Sequence, residues 1–198
     1  MKILVVFCHP SSSSFGASIF ELTCQTLKKL GHEVRTHDLY KENFDPVLSD
    51  EQWQNYSNKT EALINENATH VRNLKWCEGL IVIYPTWYYG PPAMLKGWLE
   101  KIWLPGVTFE ISDEKFKLPV SKLRHIRLFM GVTTSGSPWW WLKLIKDPGR
   151  NLWSRGLKVL FSKKCKVFWK QLYDINNSTE KDRQKFLSQI EKTLKRIS

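Results

Sequence analysis

Two stretches of this chain, Ile3–Phe7 (ILVVF) and Gly79–Pro85 (GLIVIYP), are apolar or nearly so throughout, and each is only strand-long. A strand with one wet face alternates between apolar and polar residues. A strand that is apolar at successive positions is covered on both faces, the condition of a parallel sheet held between two layers of helices. The segments between such strands must then cross from one end of the sheet to the other, usually as helices. The sequence supplies them. From Phe15, the positions Ile19, Leu22, Thr23, Leu27 and Leu30 have helical spacing, and Gly31 closes the helix. HEVRTHDLY (32–40) alternates and reads as a second strand. Residues 42–70 are polar, with Trp53, Tyr56, Leu63 and Ile64 at roughly helical spacing, and read as a loop plus a helix. AMLKGWLEKIW (93–103) reads as a helix, with Pro91 and Pro92 at its start, where a missing N–H costs nothing. HIRLFMGV (125–132) and KCKVFWKQLY (164–173) are the fourth and fifth strands, and Phe186, Ile190, Leu194 and Ile197 give a closing helix one apolar stripe.

Strands alternating with helices imply right-handed crossovers and an α/β sandwich of three layers. Five strands in this rhythm fit the flavodoxin-like parallel sheet of order 2-1-3-4-5, and residues 1–198 suit a single domain with 42% apolar residues to fill its core. In such sheets the ligand lies outside the carboxyl ends of the strands, where the strand order reverses. The loops after strands one, three and four should therefore share one site. They are HPSSSSFG (9–16), PTWYYGPP (85–92) and TTSGSPWWW (133–141), each rich in hydroxyls, glycine or aromatics.

The first loop opens a helix, where unpaired N–H groups and a partial positive charge favour an anion. Adding serine hydroxyls makes a phosphate site. Ser14 also reads as an ordinary N-cap, with the other serines solvating a loop. Neither GxGxxG nor GxxxxGK occurs, so the usual dinucleotide and P-loop signals are missing. In the second loop, Trp87, Tyr88 and Tyr89 can wall in a flat heterocycle while backbone N–H groups bond its polar edge. The same aromatics could cover the sheet edge or pack a dimer interface. Residues Thr133–Gly136 of the third loop can reach that edge from the other side. The tryptophans at 139, 140 and 141 cannot all enter one core, so some should be exposed toward a ligand or a partner chain.

The segments CHPSSSSFGASI, YPTWYYGPPAMLKGWLEKIW and TTSGS resemble the flavodoxin-like NAD(P)H:quinone oxidoreductases. The resemblance runs from Met1 to about residue 140 and is poor beyond. It implies a tightly held flavin, a homodimer with sites at its interface, and two-electron transfer in a ping-pong sequence. In that sequence nicotinamide delivers hydride to the flavin and leaves, and a quinone-like acceptor takes its place. Carried over by position, His9, Ser14, Phe15 and Gly16 would hold the flavin's phosphate side. Pro85, Thr86, Trp87, Tyr88 and Tyr89 would border the ring, and Thr133, Thr134, Ser135 and Gly136 would hold its polar edge. FMN is the expected flavin because these signals serve one phosphate and one ring; FAD, which needs an adenine site, is the alternative. Mammalian-type members use a Tyr and a His after the third loop to assist hydride transfer. Trp141 and Asp147 fall near those places here, so neither role transfers and no catalytic residue is assigned. Gly16 stands where Asn is frequent in the family.

Charge and cysteine usage complete the reading. The net charge of +11 invites an anionic partner. The basic segment 143–170 could meet the phosphates of NADPH, nucleic acid or an acidic membrane face, or be a solvated surface. Nucleic acid rests on charge alone and is not expected; peripheral contact with a membrane or a membrane protein stays open. Cys8, Cys24, Cys77 and Cys165 show no CxxC and read as reduced thiols of a cytoplasmic protein without a secretory signal. The run Gly79–Leu95 holds three prolines and two glycines, which argues against a membrane span. His32, His37, His70 and His125 have no metal-like spacing, and no metal is expected. Two other roles share these loops: a flavodoxin-type electron carrier, though such carriers are usually acidic, and the ancillary subunit of a potassium efflux system.

Overall fold

The computed structural model describes residues 1–56, 60–110 and 119–197. Five strands form one sheet: β1 (Lys2–Phe7), β2 (Glu33–Asp38), β3 (Gly79–Pro85), β4 (Leu128–Thr134) and β5 (Lys166–Leu172). Their order is β2-β1-β3-β4-β5 and every pairing is parallel. This is the 2-1-3-4-5 sheet expected of a flavodoxin-like sandwich. An additional antiparallel pairing of Phe109–Glu110 with Val120–Ser121 lies outside it.

The continuous apolar runs are explained by the two cores. Ile3, Val5 and Phe7 of β1, with Ile81 and Ile83 of β3 and Leu128, Met130 and Val132 of β4, pack with α1 (Phe15–Lys29) on one face. The C-terminal helix (Glu180–Leu194) covers the same face through Phe186, Ile190 and Leu194. The alternate residues Leu4, Val6, Leu80, Val82, Tyr84 and Phe129 join a second core with Trp98, Trp103, Trp153 and Phe161. Burying a Leu, Ile or Val side chain contributes roughly 1.5–3 kcal/mol, so neither face of a central strand can be polar without heavy loss. The edge strand β2 is mostly exposed apart from the buried His37, which accounts for its mixed composition.

Residues 42–70 depart from the expected loop and single helix. Three short helices occupy this region and its continuation: α2 (Asp50–Asn55), α3 (Thr60–Glu66) and α4 (Ala68–Trp76). Too few apolar residues recur in any one of them to produce a long periodic signal. The loop before α2 is pinned to α5 (Ala93–Ile102), where the buried Lys101 ammonium donates to Asp45 Oδ2 at 3.0 Å and to the Val47 carbonyl at 3.1 Å. Beside it, a Cβ on Gly97 would lie 2.1 Å from the Pro46 carbonyl oxygen, so only glycine lets the loop approach. After β4 come α6 (Trp139–Leu144) and α7 (Pro148–Asn151), then a π-helical turn, Leu152–Gly156. With α6 and α7 counted, the C-terminal helix is α8. No described helix is long and apolar enough to cross a membrane.

Candidate functional site

Parallel registry brings the three loops to the same end of the sheet. Phe7 is level with Ile83, and Pro85 with Thr134, so the chain leaves β1, β3 and β4 side by side. In the first loop Ser14 caps α1, its Oγ accepting from the Ala17 N–H at 3.1 Å. Phe15 and Gly16 then open the helix, where amides have no intrahelical acceptor. His9 Nδ1 lies 3.0 Å from the Ser11 amide nitrogen and 3.1 Å from the Ser11 carbonyl oxygen, which anchors the ring to its own loop. Ser11, Ser12 and Ser13 are exposed. Gly16 is not a steric necessity, because a Cβ there would meet nothing closer than 3.5 Å. The N-cap and anion readings of this loop are therefore compatible: one serine caps, and amides and hydroxyls remain.

The second and third loops close around a cavity of about 250 Å³ lined by Thr86, Tyr88, Tyr89, Ser135, Gly136 and Ser137. The two loops are tied by the Thr86 amide donating to the Thr134 carbonyl at 2.7 Å and by the Thr86 and Thr133 hydroxyls at 2.7 Å. Thr133 is buried, and its hydroxyl braces the loops rather than lining the cavity. Pro85 and Thr134 are half-buried at the strand ends, and Trp87 is exposed. The Ser135 hydroxyl accepts from the Ser137 amide at 3.0 Å, shaping the turn around Gly136. Among the described residues the amides of Tyr88, Tyr89 and Gly136 have no protein acceptor, whereas those of Thr86, Trp87 and Ser135 are already engaged. An anion-ready helix start beside a narrow cleft with unpaired amides fits a phosphorylated, planar heterocycle.

The tip of the second loop is strained. Trp87 and Gly90 exchange two backbone hydrogen bonds of 3.0 Å, and the two residues between them have positive φ, 46° at Tyr88 and 66° at Tyr89. This is the geometry of a type I′ turn, which favours Asn-Gly. Two tyrosines in it cost about 1–2 kcal/mol each, and such strain persists only where the surroundings over-determine it. The restraints come from beyond residue 140. Trp141 Nε1–H donates to the Tyr89 hydroxyl at 3.2 Å, and a Cβ on Gly149 would lie 2.9 Å from the Tyr89 carbonyl oxygen. Gly149 was not singled out in the sequence; the Asp-Pro-Gly turn signal at 147–149 was the visible hint. Trp139 and Trp140 are exposed and Trp141 is half-buried, as expected of the triplet. Asp147 accepts from the Arg150 amide at 3.2 Å, and burial raises its carboxyl pKa above the ordinary range.

A second cluster lies near the opposite edge of the sheet, where His37, Glu42 and His70 place candidate metal-ligand atoms within 4.8 Å of one another. Their hydrogen bonds give a different reading. Arg35 donates to Asn73 Oδ1 at 2.9 Å, which turns the Asn73 amide nitrogen toward His37 Nε2, 2.9 Å away. Trp98 Nε1–H donates to His70 Nδ1 at 3.1 Å. The remaining nitrogens, His37 Nδ1 and His70 Nε2, lie 3.1 and 3.3 Å from the Glu42 carboxylate and direct their protons to it. A metal bound to His70 Nε2 would move that ring's proton onto Nδ1, against the indole N–H, which can only donate. The cluster is built as a hydrogen-bonded carboxylate. The wide sequence spacing of its members hid it.

Comparison with known proteins agrees with this geometry. The sequence profile of the flavodoxin-like fold family matches residues 1–152. The uncharacterized NAD(P)H oxidoreductase YcaK of Escherichia coli K12 is 32% identical over 160 residues, covering 77% of this chain and 76% of YcaK. NAD(P)H dehydrogenase (quinone) 1 of Rattus norvegicus is 26% identical over 151 residues, 69% of this chain, which spans only 54% of the rat protein. The structure of Smu.1420 from Streptococcus mutans superimposes with a TM-score of 0.83 at 28% identity and covers 98% of each chain, so the fold agreement extends past residue 140. With the profile spanning most of the chain and YcaK 32% identical over 77% of it, the chain belongs to the flavodoxin-like NAD(P)H:quinone oxidoreductase family.

Proposed function

We propose that this protein is a flavin-dependent NAD(P)H:quinone oxidoreductase that works as a homodimer in the cytoplasm. The observation that carries the reading is the 250 Å³ cleft, where five residues expected at the ring, Thr86, Tyr88, Tyr89, Ser135 and Gly136, meet at one end of the parallel sheet. A bound flavin supplies two-electron chemistry, accepting hydride from NAD(P)H and passing it to a quinone-like acceptor in a ping-pong sequence. The chain's own residues bind and polarise. The amides of Phe15 and Gly16 and the serine hydroxyls hold the phosphate. The amides of Tyr88, Tyr89 and Gly136, which have no protein acceptor among the described residues, would hold the polar edge of the ring and offset negative charge there. The exposed aromatics at 87, 88, 139 and 140 support pairing of two copies beside the site. Four free cysteines, three of them buried, agree with a reducing compartment. FMN is the proposed flavin, because the first loop serves one phosphate.

Purified protein should show a flavin absorption spectrum that bleaches with NADPH or NADH, and heat release followed by chromatography should yield FMN. A protein that stays colourless after adding flavin overturns the proposal. Replacing Ser14 with Glu places a carboxylate against the phosphate and should abolish flavin retention, while loss of the cap itself costs only about 1 kcal/mol. Full occupancy in folded Ser14→Glu would exclude the first loop as the phosphate site. Gly149→Ala should push on the Tyr89 carbonyl, lower stability by about 1–3 kcal/mol, and weaken flavin binding in a fluorescence titration. Unchanged affinity would show that the strained turn does not border the flavin.

A further inference from the structure

Next to the flavin cleft is a cavity of about 740 Å³ whose lining includes Trp139, Lys143, Lys146, Arg150, Arg155 and Tyr173. Its four cations face a single lining carboxylate, Asp147. None of the four forms an ion pair with a described residue. Four cations around one concavity repel one another and concentrate anions there. The neighbouring cavity, about 570 Å³, shares Trp139 and Tyr173 but sets Asp182 against Lys185, so it carries no such excess. The cationic cavity is mechanically joined to the ring side of the site, since the continuous segment from α6 through α7 to the π-helical turn supplies both its cations and the contacts of Trp141 and Gly149 with Tyr89. Its volume suits a nucleotide rather than a polymer track. Trp139 and Tyr173 offer flat surfaces for a base.

We propose that this cavity receives the adenosine half of the pyridine dinucleotide and that Arg150 and Arg155 bind its 2′-phosphate, making the protein selective for NADPH over NADH. Guanidinium groups suit this role because they meet phosphate with paired, charge-assisted hydrogen bonds. The inference rests on the oxidoreductase reading above, and its test separates the two. Calorimetry on the flavin-loaded protein should show adenosine 2′,5′-bisphosphate binding about tenfold or more tighter than 5′-AMP. The Arg150→Ser/Arg155→Ser double variant should erase that difference, and the ratio of NADPH to NADH bleaching rates should fall by about the same factor. Both side chains are on exposed residues, so the variant should fold; Arg155→Ser alone should show the same trend if it does not. Equal binding of the two adenosine probes by the wild type, or an unchanged NADPH to NADH ratio in the variant, overturns the assignment. Tight bisphosphate binding to a protein whose flavin neither reductant bleaches would instead uphold the cavity and overturn the oxidoreductase reading.

Discussion

Trp153→Ala should lower stability by about 3–5 kcal/mol, read as a fall in the urea midpoint at unchanged slope. Trp153 is fully buried in the turn after α7. Its ring stacks on Phe129 at 5.2 Å and meets Trp103 edge-on at 6.2 Å. Truncation therefore empties an indole-sized volume between helix and sheet. It also removes the Nε1–H that donates to the Tyr84 hydroxyl at 3.1 Å, and a buried phenol left without a partner costs roughly a further 1–3 kcal/mol. Trp153→Phe separates the two effects, because it keeps most of the stacking and loses the donor; about 1–3 kcal/mol is expected there. If the two substitutions cost the same, packing is not the dominant interaction. The consequence for the site follows from position. Tyr84 immediately precedes Pro85, and Trp153 follows Gly149 by four residues, so this contact fixes the segment that holds the Tyr88–Tyr89 turn in its strained form. Flavin affinity should fall in Trp153→Ala even under conditions where the variant remains folded.

The same contact illustrates what could be read from the sequence. The sheet was legible because a parallel strand buried on both faces must be apolar at successive positions, and ILVVF and GLIVIYP are. Strand order followed from the alternation of elements, which also gives the end of the sheet where a ligand is expected. Residue types in the three loops then named a site, and the fold places those loops together. Local pattern does not report which hydroxyl is spent internally. Thr133 was expected at the ring edge, and its hydroxyl is used to tie β4 to the neighbouring loop. Nor does local pattern reveal contacts set by register or by close backbone approach. His37 on β2 meets His70 on α4, and Gly149 meets Tyr89, only because distant elements are brought together. The short helices between residues 50 and 76 were obscured for a different reason: each has few turns and a narrow apolar face.

The His37–Glu42–His70 cluster should make the protein acid-sensitive well above the range where carboxylates protonate. Burial, reinforced by the neighbouring His37 and opposed by Glu42, lowers the His70 pKa from 6.5 to about 4. Its Nδ1 is occupied by the Trp98 indole N–H and its ring lies on His37 at 3.8 Å, so a second proton has no acceptor on that side. Because the folded pKa is the lower one, the unfolded chain binds more protons between the two values. Stability is therefore complete above pH 6.5, falls as pH drops toward 4, and levels off below. A shift of this size corresponds to about 2–3 kcal/mol once partial screening of the site is allowed for. His32, whose pKa burial also lowers, contributes to the same slope in the wild type. The comparison that isolates His70 is urea unfolding of wild type and His70→Gln at about pH 7 and about pH 4.5, conditions that bracket most of the transition. Glutamine can still accept from Trp98 and cannot titrate. The variant should start less stable at neutral pH and lose less on acidification, so the two curves converge. Parallel curves would show that His70 titrates alike in folded and unfolded chains and that the indole hydrogen bond does not set its protonation.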